Sequence, residues 1–257
     1  MGAKVISIVN QKGGVGKTTT TLNVGAGLAI LGNRVLAIDF DPQGNMSSGF
    51  GIGLKARTNT IYSVLTGNSE FENSILKTKI DNLDILASDM NLAGFEIEVI
   101  GSDDREYFLR NELDKIKENY DYIVIDCPPS LGLLTINSLV ASDSILIPLQ
   151  CEFFALEGLS YLLEIAERVK INFNSKLFIG GVLLTMYDKR NRLTEQVEND
   201  VRECLGELVY ETVIPRNVKL TESTSFGIPA IVYDQNCAGS AAYINFIGEM
   251  IKKNDRK

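Results

Sequence analysis

Short apolar runs alternate along the chain with longer stretches in which apolar residues recur every three or four positions. Residues 5–9 (Val-Ile-Ser-Ile-Val), 34–38, 83–87, 122–125, 144–148, 178–185 and 208–214 form the runs. Each is rich in Val, Ile and Leu, the composition of strands buried on both faces. Between them, Leu22, Ala26 and Ala29 repeat at helical spacing before a Gly32-Asn33 stop signal. A short helical segment is expected at 61–65, a charged amphipathic helix at about 104–119, and a long helix at 155–172 with Leu156, Leu159, Leu163 and Ala166 on one face. Further helices are expected at 193–205 and at 239–253, the last with Ile244, Ile247 and Ile251 inward. Strand–helix alternation throughout predicts an α/β fold with a mostly parallel sheet and helices on both faces. There is no internal repeat, low-complexity tract or linker, so residues 1–257 are read as a single domain.

Composition narrows the chemistry. An apolar content of 45% over 257 residues supports a sizeable core. No apolar run approaches the ~18 residues of a membrane span. The opening MGAKVISIV reads as a first strand and not as a signal peptide, so a cytoplasmic protein is expected. The chain has no histidine, which excludes Ser-His-Asp and Cys-His catalysis and histidine-ligated metals. Its four cysteines (Cys127, Cys151, Cys204, Cys237) form no C-x-x-C pair and are read as reduced thiols. A formal net charge of −8 opposes general attraction to nucleic acid, so any such role must rest on a local basic patch.

One stretch stands out from this background: Lys12-Gly13-Gly14-Val15-Gly16-Lys17-Thr18-Thr19, between the first strand and the first helix. Strand, glycine-rich turn and helix start are the context of a phosphate-binding loop. Glycines let successive N–H groups crowd around an anion, and the helix N-terminus adds unsatisfied donors. Lys17 can reach the β- and γ-phosphates and the Thr18 hydroxyl can ligate Mg²⁺. The run 122–125 ends in Asp126, and 34–38 ends in Asp39-Phe40-Asp41-Pro42-Gln43-Gly44. Ligands of open parallel sheets bind beyond the carboxyl ends of the strands, so these acids are expected to share a site with the loop. Asp126 is expected to hold the metal. Asp39 and Asp41, two apart, can face the metal and the attacking water together.

The loop departs from the common G-x-x-x-x-G-K-S/T pattern: Gln11 stands where its first glycine would be, and Lys12 is an additional cation. This K-G-G-x-G-K-T-S/T form is the deviant Walker A motif, and the chain resembles the ParA/MinD group of P-loop ATPases. The resemblance runs on through Asp39–Asn45 (DFDPQGN), 120–139, 148–163, 181–193 and 213–223, and is to the ParA/Soj branch. It implies a single-domain P-loop NTPase fold, ATP and Mg²⁺ as cofactors, and an ATP-dependent homodimer. By the same resemblance Lys12 reaches the phosphates held by the other subunit, and Lys12, Lys17 and Asp41 serve catalysis. Thr18, Asp39 and Asp126 serve the metal, Gly13 to Thr19 hold the phosphates, and Pro215 and Asn217 lie beside the adenine. It further implies non-specific DNA binding by the ATP dimer, association with the nucleoid, and a ParB/Spo0J-type centromere-binding partner in chromosome segregation.

Two DNA-contact positions carry over, Arg190 and Lys219, the second usually arginine; lysine still neutralises a phosphate but lacks the planar fork. Other basic positions of the family are lost: Ile228 replaces a lysine before Pro229, and Gln235 and Asn236 follow Tyr233-Asp234 where relatives carry arginines. Two alternatives belong to other classes. A MinD-like membrane-cycling ATPase for division-site placement needs a C-terminal amphipathic anchor, and the end of this chain is too polar and short for stable membrane anchoring. A metabolic P-loop enzyme such as a ligase would need a co-substrate, and Lys12 with the D-x-D-P-Q-G stretch argues against it.

Overall fold

The fold is taken from a computed structural model that describes residues 2–254. The strands are β1 (Lys4–Ile8), β2 (Val35–Asp39), β3 (Ile75–Lys77), β4 (Leu83–Leu86), β5 (Tyr122–Asp126), β6 (Ser144–Gln150) and β7 (Phe178–Thr185). The helices are α1 (Lys17–Ile30), α2 (Asn45–Gly49), α3 (Ile61–Leu65), α4 (Phe71–Ser74), α5 (Leu92–Glu98), α6 (Phe108–Ile116), α7 (Leu133–Ala141), α8 (Ala155–Asn172), α9 (Arg192–Leu205), α10 (Val218–Ser225), α11 (Ala230–Tyr233) and α12 (Ala238–Asn254).

The strands form one sheet in the order β3-β4-β2-β5-β1-β6-β7, parallel except for the short edge strand β3. Successive residues of a strand point to opposite faces, and the core divides accordingly. Val5, Leu36, Ile38, Ile123, Ile125 and Ile145 join the side chains of α6, α7 and α8 on one face. Ile6, Ile8, Val35, Ala37, Val124 and Leu146 meet α1 and α12 on the other. Both faces are therefore covered, and the inner strands read as unbroken apolar runs for that reason.

The expected element at 208–214 differs in the structure. The segment runs beside β7 with an isolated bridge at Val182–Val209 and another just past the strand at Tyr187–Pro215, and the N–H groups of Tyr210 and Ile214 reach the Val182 and Leu184 carbonyls at 3.0 and 2.8 Å. The N–H groups of Glu211 and Thr212 turn instead to the Glu249 carboxylate at 2.7 and 3.0 Å, so no ladder forms. The helix expected at 104–119 is shorter, from Phe108, and its last turn tightens to a 3₁₀ form at Lys117–Asn119. In α12 Tyr243, Phe246, Ile247 and Met250 are the buried large side chains among the described residues, whereas Ile244 is about half exposed. The two rings set the inward face, one against Tyr210 and one bonded to Thr20.

The loop between α10 and α11 meets the loop after α2 backbone to backbone. Gly227 has φ +66°, and a Cβ there would stand 2.7 Å from the Gly51 Cα. Neither backbone can yield as a side-chain tip could. Gly227→Ala is expected to lower stability by about 1–3 kcal/mol, combining positive φ with overpacking. Thermal melting checks this; an unchanged midpoint would show that the two loops separate freely.

Candidate nucleotide and metal site

β1, β2 and β5 end at one level. Ile8 pairs with Asp126 on one side of β5, and Asp39 pairs with Asp126 on the other. Sheet register thus places two carboxylates side by side below the turn that leads from β1 into α1. Both are fully buried. Asp126 receives the Thr18 hydroxyl proton on Oδ2 at 2.7 Å, and the Thr21 hydroxyl lies 3.1 Å from Oδ1. Asp39 Oδ2 accepts from the Ser47 N–H and hydroxyl, both at 2.7 Å, so α2 is pinned to the strand end. Asp41 is buried at the rim and accepts the Gln43 N–H at 3.0 Å.

The loop from Lys12 to Thr19 folds as its composition requires. Gly14 and Gly16 have φ +77° and +89°, conformations that a side chain disfavours. Gly16 occupies the N-cap of α1 in the left-handed region and no side chain caps that end. The first-turn N–H groups of α1 are thereby left for an anion. Val15 is buried, and its carbonyl accepts the Thr185 hydroxyl at 2.8 Å, fastening the loop to the end of β7. Lys17 is buried, with Nζ donating to the Lys12 carbonyl at 2.9 Å. Lys12 points the other way, half exposed, and its ammonium pairs with Glu152 at the end of β6.

Burial dominates the electrostatics. It raises Asp126 to about 8, with Asp39 adding repulsion against the pull of Thr18 and Lys17. It raises Asp39 to about 6 despite the Ser47 hydrogen bonds. It lowers Lys17 from the ordinary lysine range, opposed by Asp126, Cys127 and Asp41. Three carboxylates beside one buried ammonium make a local excess of negative charge that a divalent cation relieves. The donors fit Mg²⁺: hard oxygens from one hydroxyl and one carboxylate, a set that phosphate oxygens and water would complete. Among the described residues no group of three acidic, Cys or His side chains is arranged to hold a metal alone.

A cavity of about 160 Å³ opens beside the loop, lined by Gly16, Thr19, Met186, Pro215, Asn217 and Tyr243 among others. It brings Pro215 and Asn217 to one cavity with Gly16 and Thr19, at the foot of α1. The Asn217 side chain also caps α10 by accepting the Lys219 N–H at 2.8 Å. Arg190 lies in the loop after β7 and Lys219 in the first turn of α10, and the segments that lead to them are tied by the Tyr187–Pro215 bridge and an Arg216 N–H bond to the Tyr187 carbonyl. Each has an acidic neighbour: Arg190 forks onto Asp188 at 3.0 and 2.9 Å, and Lys219 pairs with Glu222 at 2.8 Å.

Sequence reasoning did not single out Thr21, Ser47, Glu152 or Thr185. Thr21 carried a signal, since it lies one helical turn after Lys17 and faces the same way. The other three reach the site through long-range contacts, which spacing along the chain does not encode.

Residues 3–179 match the family described as AAA domain. The chain is 51% identical to the chromosome partitioning protein ParA of Caulobacter vibrioides over 99% of its length and 96% of the relative's. It is 50% identical to the sporulation initiation inhibitor protein Soj of Bacillus subtilis, covering 96% of this chain and 98% of that one. Among solved structures, it is similar to a cobyrinic acid a,c-diamide synthase from Mycobacterium smegmatis with bound ATP analogue and magnesium, at 33% identity and TM-score 0.86, over 98% of this chain and 96% of that one.

Proposed function

The chain belongs to the ParA/Soj family of chromosome-partitioning ATPases, and from that premise we propose that it is a nucleotide-switched dimer that binds DNA without sequence preference and is stimulated by a ParB/Spo0J-type partner on the nucleoid. The observation that carries the reading is the convergence of the Lys12–Thr19 loop with Asp126, Asp39 and Asp41 at the ends of three neighbouring strands. The chain hydrolyses ATP with Mg²⁺. The cation, when bound, neutralises charge on the β- and γ-phosphate oxygens.

Within one subunit the loop amides and Lys17 hold the phosphates, and Thr18 and Asp126 hold the metal. Asp39 is already committed to Ser47 and acts on the metal shell from behind, keeping α2 and the loop carrying Asp41 in place. Asp41 orients the attacking water from the rim. Pro215 and Asn217 flank the base. Lys12, whose partner Glu152 is itself partly exposed, is free to exchange that carboxylate for a phosphate of the other subunit. An exposed ion pair is worth ~0–1 kcal/mol, so the exchange costs little.

Arg190 and Lys219 are argued the same way. Their ion pairs with Asp188 and Glu222 are exposed and yield to DNA phosphates. One copy of net charge −8 with two such cations is repelled by a duplex. A two-fold dimer doubles the contacts on one face. DNA binding is therefore expected with ATP and not with ADP. Four phosphate contacts give a salt slope of about −3.6, or roughly a hundredfold loss between ~50 and ~200 mM salt. Filter binding of the Asp41→Ala dimer tests this. Arg190→Glu is expected to eliminate binding without touching dimerisation, and Lys219→Arg to strengthen it modestly. Equal binding by Arg190→Glu would place the basic face elsewhere; of the next candidates, Lys252 and Lys253 lie in α12, while Arg256 and Lys257 fall outside the described residues.

The MinD-like alternative gains no support from α12. Its apolar face is spent on the core, against α1 and α11. Among the described residues no helix is long and apolar enough to cross a membrane.

A further inference from the structure

Among the described residues, five charged ones are no more than 8% exposed: Lys17, Asp39, Asp41, Asp126 and Arg57. The first four belong to the nucleotide and metal site. Arg57 comes from the connection between α2 and α3. A guanidinium is costly to take out of water unless acceptors meet its donors. Here Nε and Nη2 donate to the Ile52 carbonyl at 3.1 and 2.9 Å. Nη2 also donates to Ser48 Oγ at 2.8 Å, and Nη1 donates to the Ser88 carbonyl at 3.1 Å. Burial lowers the Arg57 pKa from the ordinary arginine range, and the Asp39 and Asp89 carboxylates oppose that fall.

Two short chains of hydrogen bonds run from this fork to the acids of the site. Ser48 Oγ donates in turn to the Gly44 carbonyl at 3.2 Å, and the Gly44 N–H closes the turn onto the Asp41 carbonyl at 2.9 Å. On the other side, the Ser88 N–H donates to Ser47 Oγ at 3.1 Å, and that hydroxyl donates to Asp39 at 2.7 Å. The turn also packs directly on the guanidinium. Gly44 has φ +63°, and a Cβ there would collide with Arg57 Nη1 and stand 3.0 Å from the Ser88 carbonyl oxygen.

One planar group thus touches α2, the segment after it and the segment after β4 at once. Filling the space would need only an apolar side chain. The fork adds direction, because its donors are fixed in one plane and aim at three separate acceptors. A lysine ammonium is a point charge on a flexible stem and cannot copy that plane.

We infer that Arg57 is a positioning residue for ATP hydrolysis, its guanidinium holding the Asp41–Gly44 turn where Asp41 orients the attacking water; this rests on the role proposed for Asp41 above. The test is steady-state hydrolysis by Arg57→Lys and Arg57→Ala, at a temperature where circular dichroism shows both folded. In each, kcat is expected to fall at least about tenfold while KM for ATP stays within about threefold, since the phosphates are held by the separate loop Gly13 to Thr19. Added ethylguanidinium is expected to restore at least about threefold of the lost rate in Arg57→Ala, and ethylammonium to restore none, as the planar fork and not the charge is what is missing. A merely structural role would lower the melting midpoint and leave kcat of the folded protein at the wild-type value. That outcome would overturn the role given to Arg57. So would a loss carried by KM with kcat unchanged, equal rescue by the two cations, or no rescue by either. Hydrolysis by Asp41→Ala at the wild-type rate would count against the role of Asp41 instead. Wild-type kcat in both Arg57 variants beside an inactive Asp41→Ala would count against Arg57 alone.

Discussion

Asp126→Asn is expected to lower ATP turnover at least about a hundredfold, some 2.7 kcal/mol of barrier, while the nucleotide-free protein melts no lower than wild type. The two halves of this result have one cause. The carboxylate is fully buried beside a second one, Asp39, and is held near neutrality at about 8. Asparagine matches its shape, can accept the Thr18 hydroxyl proton, and carries no charge to desolvate. What it lacks is the anion that holds a hard cation. The sign with pH follows. The folded carboxyl binds its proton more tightly than the unfolded one, near 3.9. Its favourable contribution is present at low pH and fades as pH rises from about 4 towards about 8. The stability of Asp126→Asn relative to wild type should therefore grow across that window in metal-free buffer. Turnover within about threefold of wild type, under ~1 kcal/mol, would remove Asp126 from the metal site. An Asn variant that melts lower throughout would contradict the burial argument.

Lys12→Ala and Asp41→Ala should separate the two halves of the switch. Lys12 contributes its carbonyl to Lys17 and only its exposed ammonium to Glu152. Removing the side chain leaves the loop backbone intact, so ATP affinity should stay near wild type. Dimerisation should fail, because the cation offered to the other subunit's phosphates is gone, and turnover should fall with it. Asp41 sits at the rim, and its side chain accepts the Gln43 N–H. Asp41→Ala should bind ATP, fail to hydrolyse it and accumulate as a dimer. Nucleotide titration, phosphate release and sedimentation on both variants distinguish these outcomes. Lys12→Ala dimers in ATP would show that this lysine acts only within its own subunit.

The sheet was legible from the chain because its inner strands are covered on both faces and read as unbroken Val/Ile/Leu runs. The strand ends followed, since Asp39 and Asp126 each terminate such a run and the parallel order sets them in register. The segment 208–214 looked like a strand by the same rule. It is diverted because Glu249, from α12, captures two of its N–H groups. Composition cannot report a competitor so distant in the chain. α5 was missed for a different reason. Its run 92–99 alternates core and surface apolar residues, so no single polar face marks it as a helix. In the site, the loop and the acids were readable as motif residues. Ser47 and Glu152 were not, because their importance lies in the side chain each meets, Asp39 and Lys12, and in nothing local to themselves.

ATP is expected to join two copies of this chain into the DNA-binding form. Sedimentation velocity of Asp41→Ala, with Mg²⁺ and either ATP or ADP and a short duplex of arbitrary sequence, tests it most directly. The expected result is a two-chain species in ATP that carries the duplex with it at low salt and releases it as salt rises, and a single-chain species free of DNA in ADP. A single-chain species in ATP, or identical profiles in ATP and ADP, would contradict a nucleotide-switched dimer.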